Sequence, residues 1–172
     1  MTNLLRMFNA TSDGVLTTNV SGAGSFSTPL GQDQFNPPTV FSYFPADYGL
    51  PGTNLVGPEF GILDTSTTYQ RSNFVNTLFL GNNGNGIPSS VSPNVNRPGG
   101  TQLNYSAYQA QAGNPSALVD MLNTNMMHGT MSSSMRTSII NAVTAIVSSD
   151  PAGRTRTAIY LVATSSQYQV ER

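Results

Sequence analysis

The sequence contains no cysteine and no lysine, and each absence excludes a class of chemistry. Without cysteine the chain has no disulfide, no zinc–thiolate site and no thiol nucleophile. Without lysine it has no P-loop lysine, no Schiff-base lysine and no Ser-Lys dyad. No cofactor-binding motif remains, so we expect no cofactor in this chain.

Charge is also scarce, because only 9% of the 172 residues are charged and the net charge is −1. A nucleic-acid-binding protein needs clustered cations to displace phosphate counterions, and seven scattered arginines do not provide a cluster. No apolar run approaches the roughly 20 residues that a membrane-spanning helix requires. The first ten residues also lack the apolar stretch of a signal peptide. We expect no nucleic-acid partner, no membrane span and no signal peptide in this chain.

The length fits a single domain or the C-terminal portion of a larger one. Residues 1–35 begin with a short helix that looks truncated, and a loop rich in Gly, Ser and Thr follows it. Residues 36–63 are rich in Pro, Gly and aromatic side chains, which excludes long regular elements. They carry too many large apolar groups for a solvated linker, so we expect an irregular segment wrapped over a core.

Residues 64–80 predict a helix that begins after an N-cap at Asp64 and ends at Gly81. The glycine-rich residues 81–100 predict a flexible loop. Residues 101–172 predict a helical module, with a short helix near 103–112 and three longer helices. Those three begin at Asn114-Pro115, near Ser132 or Ser133, and at Asp150-Pro151.

Apolar residues recur at helical spacing in each of these three segments. The middle segment has the cleanest pattern, formed by Ile139, Ile140, Val143, Ile146 and Val147. The predicted fold is therefore mainly α, with a small helical bundle in the C-terminal half and a long irregular segment before it. For the arginines on these helices we expect solvated faces or salt bridges with Asp120, Asp150 or Glu171.

His128 is the only histidine, and it suits either a general base or a helix C-cap next to Gly129. The capping interpretation is favoured, and a lone histidine without cysteine argues against a zinc site, which takes at least three protein ligands. Asp47, Glu59 and Asp64 offer carboxylates for hydrolase or calcium chemistry, but their spacing matches no calcium loop. The alternative makes Asp64 an N-cap and the other two loop residues. We expect no metal site.

Three aromatic residues, Tyr43, Phe44 and Tyr48, could form a platform for a sugar together with neighbouring asparagine side chains. Packing in a core explains the same side chains more simply. No G-x-S-x-G elbow is present. Together, these observations favour the interpretation that this chain by itself is not an enzyme.

Four blocks in a fixed order give the chain a resemblance to a known family. They are Pro37-Pro38, Pro58-Glu59-Phe60, His128-Gly129-Thr130-Met131, and Ser165 to Arg172. Over roughly residues 30–172 the chain resembles the C-terminal part of a bacterial family called domain of unknown function 1800. That family has no established activity, so the resemblance implies no catalytic residue.

The resemblance implies a long, mostly helical and exported bacterial protein, of which this chain would be the last portion. It also implies an extracytoplasmic location and a partner from the sulfatase-like family called domain of unknown function 1501. Three hypotheses follow. They are a non-catalytic interaction or structural module, part of a hydrolase-like enzyme completed by a missing N-terminal half, and a glycan-binding module.

Overall fold

The computed structural model of the chain describes residues 7–8, 11–12, 31–32, 36–80 and 101–169. These residues are mainly helical, with a helix cluster in the C-terminal half, and the predicted fold class is confirmed. They belong to two compact units, Met1–Val15 with Val75–Arg172 and Leu16–Phe74. The predicted helix start before residue 7, the helix end at Gly81 and the loop at 81–100 lie outside the described residues.

The central helix, α1, spans Thr65–Phe79 and matches the prediction. The boundary between the two units falls within it, between Phe74 and Val75. Its C-terminal end enters the core of the first unit through Val75, Leu78 and Phe79, which are all buried. The Phe79 ring meets the ring of Phe8 edge-on, with centroids 5.1 Å apart. An edge-to-face aromatic pair adds about 0.5–1.5 kcal/mol beyond the area that it buries.

Five helices follow in the C-terminal half. They are α2 (Ser106–Gln109), α3 (Pro115–Met127), α4 (Ser133–Thr144), α5 (Pro151–Ala163) and α6 (Ser166–Gln169). A two-residue antiparallel ladder joins β1 (Thr11–Ser12) to β2 (Thr101–Gln102) just before them. Helix α5 packs against each of the other four, so it lies at the centre of the cluster.

The three longer helices begin at the capping residues that the sequence predicted. Asn114 Oδ1 accepts a hydrogen bond from the Ala117 amide, and Ser132 Oγ accepts one from the Met135 amide. Asp150 Oδ1 accepts from the Gly153 amide at 2.7 Å. Each cap satisfies an amide that has no partner within its helix, which is typically worth about 1 kcal/mol.

The core of the first unit is the set of apolar faces that these helices turn toward one another. Its fully buried members include Leu118, Val119 and Leu122 on α3, Val143 on α4, and Ala158, Ile159 and Val162 on α5. Burying one leucine or valine side chain contributes about 1.5–3 kcal/mol.

The apolar pattern of α4 was predicted too long. The helix ends at Thr144, and Val147 lies beyond it with an exposed side chain. The Asp150 amide instead donates to the Val147 carbonyl at 3.0 Å, which closes a turn before Pro151. A proline disfavours helical geometry in the residue before it, so the chain must leave α4 before this position.

The expectation for the arginines is confirmed for Arg136, whereas Arg154 does not lie on a solvated face. Arg136 forms the expected salt bridge, with its Nε 2.6 Å from Asp120 Oδ1. Arg154 is buried rather than solvated and donates to the backbone carbonyls of Ala112 and Ile146, with no ion pair to a carboxylate of the described residues. Glu171 lies outside the described residues. Carbonyls at helix ends carry partial negative charge, so they suit a cation.

The irregular segment contains one short regular element. Residues Pro58–Ile62 form a 3-10 helix with Pro58 at its first turn. Proline suits that position because its fixed φ fits a helix start and no amide is needed there. The rest of residues 36–63 consists of turns and isolated bridges.

Candidate functional site

The three candidate catalytic residues lie in exposed positions. Asp47 and Glu59 belong to the unit Leu16–Phe74, and His128 belongs to the unit that contains the helix cluster. Within the described ranges no group of three His, Asp or Glu residues is arranged to hold a metal ion. Exposed carboxylates remain hydrated, so they lack the desolvated setting in which paired carboxylates perform acid–base chemistry.

His128 occupies a turn rather than a cleft. It follows α3 with φ 51° and ψ 31°, and Gly129 follows with φ 83°. The Thr130 amide then donates to the Met127 carbonyl at 2.9 Å. Two consecutive residues with positive φ closed by this hydrogen bond make a type I′ turn. The backbone amide of His128 donates to the Asn123 carbonyl, so its main chain caps the helix.

Asp64 caps α1. Its Oδ1 accepts from the Thr67 amide at 2.7 Å, and its own amide donates to Thr67 Oγ1 at 3.0 Å. The hydrogen bond from the Thr67 backbone lowers the pKa of the Asp64 carboxyl below its ordinary value. This reciprocal pair places Asp64 in the structural role that the sequence favoured for it.

The two tyrosines of the sugar-platform hypothesis are half-buried. Tyr48 packs beside Gly61 of the 3-10 helix. A Cβ atom added to Gly61 would lie 3.5 Å from Tyr48 Cδ2. The same added Cβ would lie 3.2 Å from Phe44 Cβ, so Gly61 permits a close approach of backbone to two aromatic residues. A platform for a sugar needs an open ring face, and the face of Tyr48 toward Gly61 is covered.

Residues 39–42 form a tight turn that the sequence did not predict. The Ser42 amide donates to the Thr39 carbonyl at 3.1 Å, so Val40 and Phe41 occupy the two central positions. Thr39 Oγ1 accepts from the Phe41 amide at 3.2 Å and donates to the Ser42 carbonyl at 3.3 Å. These contacts within four residues hold the turn with its apolar tip outward.

Residues 48–57 form a second projection, shaped as a hairpin. The Gly57 amide donates to the Tyr48 carbonyl, and the Leu50 amide donates to the Leu55 carbonyl, both at 2.9 Å. At its tip the Thr53 amide donates to the Leu50 carbonyl at 3.1 Å, across Pro51 and Gly52. Gly52 has φ 77°, which a type II turn requires at this position.

Both projections carry exposed apolar side chains. Val40 is 95% exposed, Phe41 73%, Leu55 65% and Val56 61%. We name these four residues the apolar loop surface. The expectation that this segment's apolar groups all pack on a core is therefore wrong for these four. Polar side chains ordinarily occupy turn tips, so four large apolar side chains exposed there are unusual.

The sequence contains a local signal for the turn at residues 39–42, but none for the exposure of its tip. The hydroxyl of a threonine can accept a hydrogen bond from the backbone amide two residues later and so close a local turn. Thr39 precedes Phe41 at that spacing. No comparable local signal separates Leu55 and Val56 from core residues, because their exposure depends on how the hairpin lies on its unit.

No helix within the described residues combines the length and the hydropathy that crossing a membrane requires. Comparison with protein-family models gives no match. Neither curated proteins nor solved structures match the chain. The resemblance to domain of unknown function 1800 and the compartment that it implies stay predictions.

Proposed function

We propose that this chain is a non-catalytic interaction module of an exported bacterial protein. The observation that carries the proposal is the apolar loop surface. Among the described residues, six large apolar side chains are strongly exposed, and four of them fall between positions 40 and 56. Scattered exposed apolar residues are ordinary, whereas a concentration on two hydrogen-bonded projections is typical of a protein interface.

The placement of the candidate catalytic residues supports the same proposal. Asp47 and Glu59 are exposed, and His128 occupies a helix-ending turn through its backbone. An enzyme site would need these groups held in a concave, partly desolvated pocket. Export and bacterial origin rest on the family resemblance alone, as does the sulfatase-like neighbour as partner.

The test measures binding between this chain and the purified sulfatase-like protein encoded beside the full-length protein. We expect a complex by co-purification, and Phe41→Ser is expected to weaken it about tenfold or more, because aromatic anchors dominate interfaces. The matched control is Tyr69→Ser, since Tyr69 is 66% exposed but belongs to α1 and to neither projection.

The absence of cysteine allows a second readout. Phe41→Cys gives the chain a single thiol, which can carry a photo-crosslinker. Crosslinking to the sulfatase-like protein from position 41, and not from Tyr69→Cys, is the expected pattern. Equal crosslinking from both positions, or turnover of a substrate by the chain alone, would contradict a non-catalytic module that binds through this surface.

A further inference from the structure

We draw no further inference here: the strongest candidate, the apolar loop surface on the two projections at residues 39–42 and 48–57, already carries the proposed function, and nothing in the structure shows what covers it.

Discussion

Arg154 donates two hydrogen bonds to the carbonyl oxygen of Ile146, from Nε at 2.9 Å and from Nη2 at 2.8 Å. A third, from Nη1, reaches the Ala112 carbonyl at 3.1 Å. Ala112 follows α2 and Ile146 follows α4, so one guanidinium ties the ends of two helices to the start of α5. Arg154 is only 7% exposed, and its planar group matches carbonyls that a shorter or rounder cation could not reach together.

Replacing Arg154 by methionine is expected to lower the free energy of unfolding by about 2–3 kcal/mol. The variant keeps an apolar stem of similar length but leaves buried carbonyls without donors. Denaturant unfolding followed by circular dichroism measures the loss.

The control for this variant is Arg156→Met on the same helix. Arg156 Nε has no hydrogen-bond partner among the described residues, so we expect a loss below about 1 kcal/mol. An equal loss of unfolding free energy in both variants would mean that the three hydrogen bonds of Arg154 do not make it more important for stability than Arg156.

Stability at acid pH is expected to depend on Asp120. Hydrogen bonds from Arg136 lower the pKa of the Asp120 carboxyl below its ordinary value, and Arg136 Nη2 also donates to Ser116 Oγ. Because the folded-state pKa lies below that of the unfolded chain, the pair stabilises the fold above about pH 4. This contribution is lost as the pH falls through the folded-state value.

The measurement is the difference in Tm between the natural chain and Asp120→Asn. We expect a difference of about 1–2 °C at pH 6 that shrinks toward zero below about pH 4. Arg136→Met should remove the same pH-dependent difference. A difference that does not shrink as the pH falls below about 4 would show that the ion pair is not its source.

Gly153 is expected to resist the usual stabilising replacement by alanine. It lies in the first turn of α5, and a Cβ there would overlap the Asp150 carboxylate and lie 2.7 Å from its Cγ. Alanine favours a helix over glycine by about 1 kcal/mol, but here it would displace the cap, which is worth about as much or more. We expect Gly153→Ala to be neutral or to destabilise by up to about 1 kcal/mol.

A double-mutant cycle tests the cause. In an Asp150→Ala background the cap is already absent, so Gly153→Ala should stabilise by about 0.5–1 kcal/mol. The same effect of Gly153→Ala in both backgrounds would show that the two residues do not interact.

The turn at His128 predicts opposite effects at neighbouring positions. His128 and Gly129 both have positive φ, and a side chain there costs about 1 kcal/mol or more. Gly129→Ala is therefore expected to destabilise by about 1 kcal/mol, and His128→Gly to stabilise by up to about 1 kcal/mol.

Thermal unfolding of both variants provides the comparison. The stability effect at His128 comes from its backbone and not from its imidazole. His128→Gly should therefore also leave binding through the apolar loop surface unchanged. A loss of stability in His128→Gly would mean that the side chain contributes a contact that outweighs the backbone cost.

Local sequence signals predicted the C-terminal helices well. Asn114 and Asp150 followed by proline mark helix starts by contacts within one turn, and the apolar spacing on α3 and α5 follows the helical period. The structural role of Asp64 was predicted for the same reason, because its partner Thr67 is three residues away. Information of this kind is contained in a few neighbouring residues.

Positions that depend on distant partners were not predictable in this way. The sequence alone determined the chemistry that the chain excludes, its mainly helical class and the starts of its helices, because composition and short-range hydrogen bonds decide these properties. Only the tertiary structure decided that Arg154 is buried against a carbonyl 42 residues away and that Val40 and Phe41 face solvent. Burial depends on which distant surfaces meet, and neither the apolar character nor the charge of a residue specifies that by itself.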